Sequence, residues 1–100
     1  MAAPKKSFVR IYPVSASLSI VHVNILAEDA QRFTEACYPL IRLPSTLIRI
    51  CQYVNAVLST GAPYCGIKAH LPRPMIGSAA EVDTMKFVAA MDGEYGIKTG

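Results

Sequence analysis

The residues from Phe8 to Leu26 alternate between apolar and polar, and the alternation changes phase along the way. Val9 and Ile11 share one parity. Val14, Ala16, Leu18 and Ile20 take the other, with Ser15, Ser17 and Ser19 between them, and Val21, Val23 and Ile25 return to the first. A period of two is the mark of a half-buried strand. A phase shift of one residue carries the apolar set to the opposite face of a sheet. A single regular strand is therefore excluded, and breaks are expected near Pro13 and near Ile20–Val21. Either two strands meet at a bend, or one long strand carries bulges. Pro13 has no amide hydrogen to give a ladder, so it belongs at an edge or a bulge.

The same segment bears on membranes. Lys5 and Lys6 ahead of an apolar run resemble the start of a signal peptide, but Arg10, Pro13, Ser15, Ser17, Ser19, His22 and Asn24 interrupt that run. A signal core is continuous, and a bilayer span takes about 20 predominantly apolar residues. Strand is the reading preferred for residues 8–26. A marginal span packed among other helices is the alternative.

From Ala27 the period becomes helical. Leu26, Ala30, Phe33 and Cys37 fall on one face, Glu28 and Asp29 sit in the first turn, and Asn24 is a candidate cap. Pro39 ends or kinks this helix. A second helix is expected from a Ser45 or Thr46 cap to about Ser59, with Leu47, Ile50, Cys51, Val54, Val57 and Leu58 as its apolar stripe. Gly61 and Pro63 stop it. Tyr64 to Leu71 reads as a short strand, and Pro72-Arg73-Pro74 as an extended turn. Ser78-Ala-Ala-Glu81 is a capping box that opens a third helix running to about Met91. On that helix Val82, Met85, Val88 and Ala89 form one apolar face, while Phe87 and Met91 project from nearly the opposite side. A short helix that is apolar on two sides is expected to lie between two surfaces. Tyr95 continues the spacing of Phe87 and Met91 into the tail.

The fold class expected is α+β: an N-terminal strand or hairpin, two helices, a short strand and a C-terminal helix. At 100 residues this is one small domain, 8–100, preceded by a flexible arm over 1–7. Apolar residues make up 52% of the chain and charged ones 17%, which excludes disorder throughout and leaves little charge to cover an exterior. A monomer of this balance would expose larger apolar patches than a soluble protein tolerates, so a partner chain or lipid is expected to cover part of it. The net charge of +3 is modest, and no run of basic residues exceeds two.

Candidate chemistry is sparse. Cys37, Cys51 and Cys65 are an odd number at equal spacings of 14 and form no recognised metal or redox pattern, so they read as reduced, mostly buried thiols. With His22 or His70 they could supply the ligands of a zinc site, yet the close cysteine pairs of such sites are missing. Cys65, in Pro-Tyr-Cys-Gly near Lys68 and His70, is the one candidate for a thiol nucleophile. Paired carboxylates, a serine nucleophile elbow and a phosphate-cradling glycine loop are all missing, and Glu81 and Asp83 read as ordinary helix surface. Lys68, His70 and Arg73 form the densest basic cluster, a weak candidate for contact with an anion or a partner. No metal, cofactor or catalytic residue is expected.

The function expected is that of a non-catalytic accessory or assembly subunit. It would be held in a larger intracellular complex in a reducing compartment, membrane-associated or organellar complexes such as mitochondrial ones included. Phe87, Met91 and Tyr95 are the expected interface with other protein subunits. A small RNA- or ribosome-associated protein and a small thiol enzyme using Cys65 are the alternatives.

Overall fold

The computed structural model describes residues 6–39, 42–72 and 78–91. Three strands, β1 (Phe8–Pro13), β2 (Leu18–Leu26) and β3 (Tyr64–Pro72), form an antiparallel sheet in the order β1-β2-β3. Three helices, α1 (Ala30–Cys37), α2 (Ser45–Leu58) and α3 (Ala79–Ala90), complete an α+β domain.

The first phase break is a hairpin turn. β1 ends on Pro13, and the amides of Val14 and Ser15 both donate to the Leu18 carbonyl, at 2.9 and 3.1 Å. Pro13 costs little there because β1 is an edge strand. The second break does not exist. β2 pairs with both neighbours in unbroken register through Ile20 and Val21. Its phase shift instead places Ser19 on the inner face, 4% exposed, and Leu18 and Ile20 on the outer face. Residues 8–26 are two strands joined by a turn, and among the described residues no helix is long and apolar enough to cross a membrane.

One parity of the sheet faces the helices. Val9 and Ile11 of β1, Val21, Val23 and Ile25 of β2, and Cys65 and Leu71 of β3 join the core with Ile67 and Ala69 beside them. Helix α2 packs on β3, α1 on β2, and α3 on β1. The stripe of α2 buries Leu47, Ile50, Cys51 and Val54 as its spacing requires. At its end the amide of Gly61 donates to the Leu58 carbonyl at 3.2 Å, with Gly61 at φ +90°, a conformation that glycine adopts without a side-chain clash.

Several local expectations are corrected. Asn24 does not cap α1: it lies in β2 and donates its side-chain amide to the Lys6 carbonyl at 3.3 Å. A 3-10 turn, Ala27–Asp29, precedes α1 instead. Neither Ser45 nor Thr46 caps α2, which follows Pro44 without a side-chain cap. The arm is held at its end, because Ser7 is buried, donates to Asp29 at 2.5 Å and accepts from the Leu26 amide at 2.9 Å. Ser78 does cap α3 as expected, its Oγ accepting from the Glu81 amide at 3.2 Å.

Helix α3 buries the side expected to meet a partner chain, together with Val88 of the other side. Phe87 and Met91 are fully buried, whereas Val82 and Met85 are 48% and 47% exposed. The cause lies in what shares each face. Phe87 meets Phe33 of α1 edge-on, with ring centroids 5.8 Å apart, an aromatic pairing worth more than the area it buries. On the same side, Asp83 is not surface: it is 3% exposed and takes two hydrogen bonds from Arg42, at 3.1 and 3.2 Å. The guanidinium satisfies a carboxylate that would otherwise be costly to bury.

Candidate binding surface

The outer face of the sheet follows from the alternation that builds the core. Residues of the second parity point away from the helices, and none of them belongs to the buried core cluster. They stand in cross-strand rows: Phe8, Asn24 and Gly66; then Arg10, His22 and Lys68; then Tyr12, Ile20 and His70. Apart from Asn24, these side chains are half-buried or exposed.

The central row puts three nitrogenous side chains side by side. Arg10 and Lys68, the two permanent cations, stand on either side of His22. Phe8 organises part of it. The Arg10 guanidinium lies 4.0 Å from the centre of the Phe8 ring, and that ring meets the His22 imidazole edge-on at 4.9 Å. Both contacts are attractive: a cation over a ring face, and an edge-to-face ring pair. The row still affects His22. Its pKa is lowered first by burial and then by the charges of Lys68 and Arg10. None of the three strands carries an Asp or Glu. Among the described residues the carboxylates, Glu28, Asp29, Glu35, Glu81 and Asp83, all stand on helical segments.

Of the residues singled out from the sequence, Lys68 and His70 lie in β3, two apart on the exposed face. Arg73 and Tyr95 lie outside the described residues. Phe87 and Met91 are core residues of this domain and cannot offer a surface to another chain while it stays folded. Sequence reasoning missed Arg10, His22, Phe8 and Tyr12 as neighbours of Lys68. The alternation gave their face, but only the pairing of β2 with β3 brings Lys68 to His22, from the far side of α1 and α2 in the chain.

The cysteines divide. Cys65 is buried, and burial pushes its thiol pKa up, opposite to what a nucleophile requires. Cys37 and Cys51 meet at the junction of α1 and α2, and both are free. Beside them is a pocket of about 270 Å³ lined by Tyr38, Leu43, Ile48, Gln52 and Asn55 as well. Among the described residues no three metal-ligating side chains come together.

No protein-family model, curated protein or solved structure matches this chain.

Proposed function

We propose that the protein is a non-catalytic accessory or assembly subunit that works by binding inside a larger complex. The observation that supports this most directly is the second face of the sheet. Helices pack on one side only, and the other keeps Phe8, Tyr12, Leu18 and Ile20 at least partly exposed among the described residues. An antiparallel sheet can face water on one side, but that side then usually alternates to polar residues. Here apolar and aromatic side chains share it with cations. Such a mixture of aromatic and basic groups favours contact with another molecule over simple solvation. Val82 and Met85 on the outside of α3 add apolar surface away from the sheet.

The test is the size of the particle that contains the chain in its own cells. Tagged at its native level and released with mild detergent, it should sediment well above its 10.8 kDa mass. Ile20→Asp, which charges the outer face without entering the core, should release it. Sedimentation of the unaltered chain as a monomer would overturn the reading.

The RNA-associated reading has a specific observation in its favour, the convergence of Arg10, His22 and Lys68 on one row, and it is developed next.

A further inference from the structure

We infer that the outer face of the sheet is a docking platform for a single-stranded nucleic acid, with Arg10 and Lys68 meeting its phosphates and Phe8 and Tyr12 meeting its bases. This names a partner for the surface on which the proposed binding role rests.

Charge complementarity is the first argument. Arg10 on β1 and Lys68 on β3 flank His22 in a single cross-strand row, so two permanent cations face the same way about 10 Å apart, two strand spacings. Neither has an ion-pair partner among the described residues, and no strand residue carries a carboxylate. A face on which the described charges are all of one sign is matched by a polyanion. The modest net charge of +3 does not oppose this, because among the described residues the negative charges stand on the helical segments.

The aromatic groups select among polyanions. Phe8 and Tyr12 are four residues apart on β1 and on the same face, about 13 Å from one another. Base stacking on aromatic rings is sequence-tolerant and needs unpaired bases. A duplex hides its bases and would use the cations alone, and a lipid headgroup would use them without the rings. A sheet face of this kind accommodates about two or three bases. His70, exposed in the row of Tyr12, adds a ring and a donor at the far side.

The experiment is fluorescence anisotropy with the purified full-length chain and a labelled ten-nucleotide single strand of mixed sequence, as RNA and as DNA. Binding to either single strand, weaker binding to the corresponding duplex, and about a sevenfold loss of affinity from 50 to 200 mM salt are expected for two phosphate contacts. Lys68→Ala should reduce that salt loss to about 2.6-fold. Tyr12→Ala should weaken binding about tenfold while Tyr12→Phe retains it. Lys86→Ala, on α3, should change nothing. Circular dichroism establishes that each variant is folded.

Three results would overturn the proposal: no binding at 50 mM salt, duplex bound as tightly as single strand, or equal binding to vesicles half phosphatidylglycerol with no effect of Tyr12→Ala. The last would identify a membrane surface instead. If the oligonucleotides fail while the chain still sediments in a large particle, the subunit reading survives and its partner is protein. If they bind while the chain sediments as a monomer, the subunit reading fails and this one stands.

Discussion

The Sγ atoms of Cys37 and Cys51 stand 2.7 Å apart, at the junction where the end of α1 meets the middle of α2. The even spacing of Cys37, Cys51 and Cys65 along the chain gives no hint of this pairing. The contact arises because Cys37 and Cys51 lie on the inward stripes of two helices that pack together.

Closing that pair into a disulfide is expected on treatment with diamide, which takes up both electrons and both protons as the two thiols become one S–S bond. Attack requires a thiolate. The hydrogen bond to Cys51, and then burial, push the Cys37 pKa far up, so the reaction should be slow at neutral pH and quicken as pH rises. The bond closes a 15-residue loop and should stabilise the fold by up to about 3 kcal/mol. Peptide mapping should find Cys37 joined to Cys51, with Cys65 alkylated only after unfolding. A crosslink through Cys65 would contradict the packing described.

The orientation of α3 makes a second prediction. Phe87→Ala removes a fully buried ring from its contact with Phe33 and should cost about 3–5 kcal/mol. Met85→Ser, on the exposed side, should stay within about 0.5 kcal/mol of the parent. Urea unfolding at fixed pH measures both. The opposite ranking would put the outer face of α3 inside.

These two cases show what the sequence made legible. The alternation in residues 8–26 revealed strands, and the proline and glycine punctuation placed α2 and α3 to within a residue or two. The Ser78 cap was legible because a cap bond spans only three residues. What failed was non-local. Apolar residues surround α3 on both sides, so composition did not say which side faces in. The answer depended on Phe33 from α1 and on a buried Asp83 that looks like surface until Arg42 is placed against it. The row of Arg10, His22 and Lys68 was missed for the same reason: these residues become neighbours only through strand pairing.

His22 offers a direct probe of that row. Its folded pKa lies below the ordinary imidazole value of about 6.5 because burial, then Lys68 and Arg10, disfavour the protonated ring. The unfolded chain therefore binds the proton more readily. The contribution of His22 to stability is full above the unfolded value and declines as pH falls through it toward the folded one. Lys68→Met removes one repulsive charge and should move the NMR titration midpoint of His22 upward, though not fully to the ordinary value, since burial and Arg10 remain. An unchanged midpoint would show that Lys68 does not face the imidazole.

The Arg42–Asp83 pair joins the segment before α2 to α3 through two hydrogen bonds to a carboxylate that is 4% exposed, from an arginine side chain that is 58% exposed. Arg42→Met leaves that carboxylate buried without its charged donor, a loss of about 2 kcal/mol. Arg42→Lys should recover only part of it, because a lysine cannot present two parallel donors. Replacing both residues, as Arg42→Met with Asp83→Leu, removes the stranded charge together with its partner. The double variant should then be more stable than Arg42→Met alone. Urea unfolding of the three variants decides the point. A double variant no better than the single one would mean that Asp83 reaches solvent when Arg42 is gone, and that the pair orients the segment rather than stabilising it.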